Sequence, residues 1–224
     1  MKRAIVGLAA CMLAAMIWVP SAWAVNGTYT DNVRMTANYV YGNQARIAVL
    51  NPYVYPDSYK VESLGAARSD ATAWVEVGWC KYGTAWSGQP QVPTMFYAVY
   101  NNGYYEDVDI AAVEVDSAHY YAMKYVGEDL NGSSKWNFYL DDVYKGYEVV
   151  IDGRLSSAIA LSQSETHFQI PPSQYDDAKA HFYGMSYYDG SVWRPWNSLA
   201  SNVDTNPLFC VLKVSNTEWW NLHP

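Results

Sequence analysis

Cysteine and positive charge are scarce in this chain. Three cysteines occur among 224 residues. One of them, Cys11, lies in the apolar N-terminal stretch, so Cys80 and Cys210 are the only candidates for an internal disulfide. The alternative for them is two separate buried thiols. Lys and Arg total 14 against 22 Asp and Glu, a net charge of −8. No basic patch stands out, which argues against nucleic acid and anionic membranes as partners. No stretch has a convincing helical period, and no Gly-rich phosphate loop or redox motif occurs. A G-x-S-x-G elbow is missing too, so the commonest serine-hydrolase signature is absent.

The first 24 residues read as a secretory signal peptide. Lys2 and Arg3 form a basic start, Ala4 to Val19 is nearly all apolar, and Ala22-Trp23-Ala24 is a small-x-small cleavage site. The apolar run is short for a membrane span. Leu8-Ala9-Ala10-Cys11 resembles a lipoprotein site, but the residues after Cys11 are apolar where such a protein usually begins polar. The expectation is a secreted or periplasmic monomer, cleaved after Ala24, with residues 25–224 as one domain.

What is abundant is aromatic: 21 Tyr and 10 Trp. These residues favour strands and clefts where one end of a ring is dry and the other wet. Short alternating runs recur between Gly, Pro, Asn and Asp. Strands are expected at Ala45–Leu50, Ala73–Lys81, Thr94–Tyr100, Asp107–Val115, His119–Val126, Lys135–Leu140, Tyr144–Ile151, Ser157–Gln163, His181–Tyr188, Trp193–Asn197 and Phe209–Val214. Asn101-Asn102-Gly103, Asp141-Asp142 and Asp152-Gly153 are turn signals. This spacing predicts an all-β fold, an antiparallel β-sandwich of jelly-roll or concanavalin-like kind.

One strand contains an anomaly. In ATAWVEVGWCK (Ala71–Lys81) alternation puts Ala73, Val75, Val77 and Trp79 on one face and Trp74, Glu76 and Gly78 on the other. The first face belongs in a core. The second has an aromatic, an acid and a glycine, and it reads either as a cleft with room beside the acid or as an ordinary solvated face.

Three segments together resemble a known family. YGNQARIAVLNPYV (Tyr41–Val54) resembles the opening strand of the catalytic domain of neprosin, a secreted glutamic peptidase. EVGW (Glu76–Trp79) resembles that family's Glu-Ala-Gly-Trp strand, and TMFYAVYNNGYYED its aromatic strand and turn. AIALSQSETHF (Ala158–Phe168) lies where the family has its second acidic motif, with Gln163-Ser164 in place of Gly-Gly. Fungal glutamic peptidases of the scytalidopepsin type look like more distant relatives. The resemblance implies a glutamic-peptidase-like β-sandwich with Glu76 and Glu165 as catalytic acids. On simple alternation, however, Glu165 shares a face with Ile159 and Leu161, the face expected to be core.

Two carboxylates across one cleft split their pKa values. The ionised one can activate water while the protonated one polarises a carbonyl, so a peptide bond can be cut at acid pH without metal or cofactor. Trp74, Phe96, Tyr97 and Trp136 would form an aromatic wall gripping the substrate, with Gly78 leaving space. The same cleft could hold a glycan or a peptide without cutting it. Weaker alternatives are a metal at Glu165 and His167, calcium at Asp141-Asp142 or Asp176-Asp177, and sugar platforms at Trp193–Trp196 or Trp219-Trp220. His119 reads as a strand-end residue.

Overall fold

The structure is a computed structural model that describes residues 28–54, 56–165, 179–203 and 210–222. Residues 1–24, His167 and Asp176-Asp177 lie outside the described residues. Two antiparallel sheets face each other without closing into a barrel. The seven-stranded sheet runs, in spatial order, β13 (Ala200–Val203), β1 (Thr28–Thr36), β10 (Ser157–Glu165), β3 (Tyr59–Ala67), β4 (Ala73–Tyr82), β5 (Thr94–Asn101) and β6 (Tyr104–Ala112). The eight-stranded sheet runs β14 (Cys210–Ser215), β15 (Glu218–Leu222), β11 (Ala180–Tyr188), β2 (Gly42–Val49), β7 (Ser117–Glu128), β8 (Ser134–Leu140) and β9 (Val143–Ile151), with β12 (Trp193–Pro195) paired to β11. The fold is thus the all-β antiparallel sandwich that the turn spacing predicts.

Alternation supplies the core. Val75, Val77 and Trp79 of β4, Ala45 and Ile47 of β2, and Tyr121 and Met123 of β7 are buried between the sheets. Tyr97 of β5 stacks on Phe138 of β8 with centroids 4.8 Å apart, tying one sheet to the other. The hairpins turn where the sequence says. Asn102 and Gly103 have φ of 48° and 92°, and Asp141 and Asp142 have 50° and 63°. Positive φ at both central residues marks the tight hairpin turn whose twist matches the strands it joins.

A buried polar cluster interrupts this core. Lys60 and Glu62 of β3 point inward, with Lys60 Nζ 2.7 Å from Glu62 Oε1. Ser162 Oγ of β10 accepts from Lys60 (2.8 Å) and from Asn221 Nδ2 of β15 (3.1 Å), and donates to Glu62 Oε1 (3.2 Å). The Asn221 bond crosses from one sheet to the other, and the bonds of Ser162 to Lys60 and Glu62 offset part of the desolvation of the ion pair.

Candidate functional site

The outer face of the seven-stranded sheet carries a second, separate cluster: Tyr59, Val61, Trp74, Cys80, Phe96, Ala98, Ile159 and Leu161, with Tyr82, Trp86, Tyr100 and Tyr105 packed against it. Glu76 stands in the middle. The hydrogen-bond registers resolve the face into rows that cross β10, β3, β4, β5 and β6. One row reads Ile159, Gly65, Glu76, Ala98, Asp107. The next reads Leu161, Ser63, Gly78, Phe96, Asp109. On the other side of Glu76 comes Ser157, Ala67, Trp74, Tyr100, Tyr105.

Glu76 is 3% exposed. Burial pushes its carboxyl up to about 7, and the negative charge of Asp107 adds to this. The Ser63 hydroxyl, which donates to Glu76 Oε1 through a short hydrogen bond, works the other way. Glu76 is therefore largely neutral at mildly acid pH. Asp107 and Asp109 are also held above their ordinary range, chiefly by partial burial, and Asp109 adds to the effect on Asp107.

Two recesses flank Glu76. One, no larger than a water molecule needs, is lined by Ser63, Gly65, Trp74, Ile159 and Leu161. The other, also small, is lined by Cys80, Tyr82, Phe96, Tyr105, Asp107 and Asp109. A hydrogen-bonding carboxylic acid is thus set between aromatic and aliphatic walls, with two further acids on one side.

Several expectations change. Glu165 pairs with Tyr59, which pairs with Tyr82. That is six residues along β10 from Ile159, about 20 Å at strand rise. The ladder therefore does not bring Glu165 to Glu76, since carboxyls share a proton only within about 4–6 Å. The face assignment of β10 also reverses: Ile159 and Leu161 lie in the outer cluster, and Ala158 and Ala160 in the core.

The aromatic wall divides in the same way. Trp74 and Phe96 are on the Glu76 face. Tyr97 faces the core, because it has the opposite parity to Phe96, and Trp136 of β8 is buried in the core with its Nε1 donating to Ser134 Oγ at 3.1 Å. Neither Tyr97 nor Trp136 belongs to the Glu76 face.

Gly78 does not leave space for a ligand. A Cβ there would lie 2.6 Å from Ser63 Cα and 2.7 Å from Ser63 Cβ, so the glycine admits the neighbouring strand. Gly65 is less crowded, although an added Cβ would press on Val75 O at 3.3 Å and meet Ile159 Cβ at 3.8 Å.

The disulfide is not formed. Cys80 is a free buried thiol on the outer face, 3.6 Å from Asp109 Oδ1, whereas Cys210 begins β14 of the other sheet. Burial, with Asp109 beside it, pushes the Cys80 thiol well up. Among the described residues no group of three or more His, Cys, Asp or Glu is placed to hold a metal ion. Trp196 and Trp219 are core residues, not platforms.

Ser63, Gly65, Asp107 and Asp109 went unread in the sequence. Tyr105, Asp107 and Asp109 share one parity in YYEDVDI, which is the signal that could have found the two acids.

No family model matches the chain, and no curated protein matches its sequence significantly. Solved structures do match. Scytalidoglutamic peptidase with a peptide-based transition-state analogue superposes with a TM-score of 0.59 at 11% identity, covering 88% of this chain and 98% of that one. The same peptidase with a transition-state analogue inhibitor gives 0.58 at 11%, covering 90% and 100%. SCP-B, a member of the eqolisin family of peptidases, in complex with the tripeptide Ala-Ile-His gives 0.52 at 11%, covering 89% and 98%. The chain has the β-sandwich fold of the glutamic peptidases.

Proposed function

We propose that the outer face of the seven-stranded sheet is a cleft for an extended polypeptide, with Glu76 as the buried acid at its centre. The observation that carries this reading is the row Ile159, Gly65, Glu76. It combines a nearly neutral carboxyl, an apolar partner and a missing side chain between them. A protonated carboxyl can donate to a peptide carbonyl, and Gly65 lets a backbone approach. Trp74, Phe96, Tyr82 and Tyr105 supply apolar and stacking contacts for side chains. Polypeptide is favoured over glycan because the superposable structures of this fold hold peptide-based ligands. Residues 1–24 as an export signal would place the protein outside the cytoplasm, as a monomeric domain needing no cofactor.

A second reading makes the cleft hydrolytic, with Asp107 in place of Glu165. One observation favours it: Asp107 stands in the row of Glu76, two strands away, and its charge raises the Glu76 carboxyl. Two acids of this kind divide the roles of proton donor and water-activating base.

Titration of the purified protein with unfolded casein and with oligosaccharides, between pH 3.5 and 8, tests both readings. Binding of casein that weakens above pH 7 and is lost in Phe96→Ala supports the cleft. Preference for oligosaccharide, or casein binding indifferent to Phe96, would overturn it. New peptide termini that appear in the wild type and not in Asp107→Asn would establish the hydrolytic version.

A further inference from the structure

Ser117, His119 and Asp141 are linked in the eight-stranded sheet, away from the Glu76 cleft. Ser117 and His119 begin β7, two residues apart, so alternation puts both on one side of the strand. Asp141 occupies the turn between β8 and β9. Ser117 Oγ is 2.9 Å from His119 Nε2, and His119 Nδ1 is 2.6 Å from Asp141 Oδ2. The other Asp141 oxygen accepts the Tyr120 N–H at 2.9 Å, which fixes the carboxylate. Burial works upward on Asp141, but the hydrogen bonds from Tyr120 and His119 hold its carboxyl below the ordinary range.

A carboxylate only accepts, so Nδ1 carries a proton, and in the neutral ring Nε2 is then the nitrogen that accepts from Ser117. The distances fall in the range expected of a nucleophile, its base and the group that orients the base. The His119 side chain is 16% exposed and that of Asp141 50%. Ser117 is half-buried. The Ser117 hydroxyl also lies 2.7 Å from the Glu114 carbonyl, a second acceptor for the same proton. Rotation about Cβ–Oγ moves that proton between the two acceptors without moving a heavy atom.

We propose that Ser117, with His119 as its base and Asp141 as the residue positioning that base, accepts acyl groups from small activated esters. Ser117 Oγ attacks the ester carbonyl carbon, and its proton passes to His119 Nε2. The adduct collapses with cleavage of the bond to the leaving oxygen, which departs with its electron pair and takes the proton from Nε2. Water, deprotonated by the same nitrogen, then attacks the acyl-serine, releasing a carboxylic acid and restoring Ser117. The relay recurs on unrelated folds and is recognised by geometry, so the missing G-x-S-x-G elbow does not weigh against it.

The test uses the full chain, a fluorophosphonate probe and p-nitrophenyl acetate at pH 7.5, with the adduct located by peptide mass mapping. A fluorophosphonate adduct on Ser117 is expected. Ser117→Ala should abolish it, and His119→Gln should slow it at least about 100-fold, the low end for general-base assistance. Asp141→Asn keeps a residue that tolerates the turn's positive φ and should slow labelling at least about 10-fold. It should have no further effect in the His119→Gln background, because Asp141 acts only through His119. Glu76→Gln should label like the wild type. No adduct on wild-type Ser117, or undiminished labelling in a folded His119→Gln variant, would overturn the proposal.

Discussion

Glu76 and Ile159 face each other across Gly65 in a single row of the outer sheet face. The strand between them contributes no side chain, so the acid looks over a gap at an aliphatic neighbour. Ile159→Glu would put a second carboxyl about 10 Å away at the Cα level, two strand spacings. Its burial, and any charge on Glu76, would raise its pKa. The variant is expected to be markedly less stable than wild type at pH 8 and to recover much of the loss at pH 4, where both acids are protonated. Thermal melts at the two pH values check this. An equal loss at both would mean the new carboxyl points away from the row.

Glu76 itself imposes a pH dependence on folding. Its carboxyl moves from 4.5 in an unfolded chain to about 7 in the folded one. A raised acid binds its proton more tightly when folded, so this contribution stabilises the fold below pH 4.5. It is lost as pH rises through about 7. The span corresponds to about 3 kcal/mol at most. Glu76→Gln, which keeps the shape without the charge, should flatten that part of the profile and be more stable than wild type at pH 8. Urea unfolding from pH 4 to 8 measures it. Parallel profiles for the two proteins would show that Glu76 is not the group responsible.

The Lys60–Glu62 pair makes a different demand. Both side chains are buried, and Ser162 bonds to both while accepting from Asn221. Lys60→Met leaves a buried carboxylate without its ammonium partner and should cost about 3–5 kcal/mol. Replacing both, as Lys60→Met with Glu62→Leu, should recover most of that loss, because neither charge then needs desolvating. A double-mutant cycle by urea unfolding gives the coupling directly. A double variant as unstable as the sum of the singles would contradict this.

The same pair accounts for why part of the site is hidden in the sequence. Strands that read as short apolar and aromatic runs, such as Ala73–Tyr82 and Thr94–Asn101, announce themselves, and so do the Asn102-Gly103 and Asp141-Asp142 turns. YKVESLGAA (Tyr59–Ala67) does not, because Lys60 and Glu62 occupy core positions and break the polarity pattern. This strand supplies Ser63 and Gly65 next to Glu76, so part of the acid's surroundings is hidden with it. The apolar side chains of Ile159 and Leu161 mislead in the opposite direction. They pack on the outer face in a cluster of their own, which alternation cannot distinguish from the core between the sheets. Glu76 is legible because a carboxylate in the middle of an aromatic strand contrasts sharply with its neighbours. Its partners depend on register, and a single sequence does not specify register when several strands must be ordered.

The two glycines beside Glu76 give opposite expectations. At Gly78 an added methyl would press on Ser63 Cα and Cβ at 2.6 and 2.7 Å and, closer still, on the Glu62 carbonyl oxygen. Backbone cannot yield as a side chain can, so Gly78→Ala should cost at least about 2 kcal/mol. By displacing Ser63 it should also raise the pH at which Glu76 titrates, since the serine hydrogen bond is the contribution holding that value down. At Gly65 the nearest atom would be Val75 O at 3.3 Å, with Ile159 Cβ at 3.8 Å. Gly65→Ala should cost less than Gly78→Ala, although the Val75 carbonyl has to give slightly, and its methyl fills the gap between Glu76 and Ile159. If a polypeptide backbone lies over that gap, casein affinity should fall by at least about tenfold, which is about 1.4 kcal/mol of lost contact. Unfolding curves and casein titrations on both variants separate the two effects. A Gly65→Ala protein that binds casein as tightly as wild type would move the ligand away from the row of Glu76.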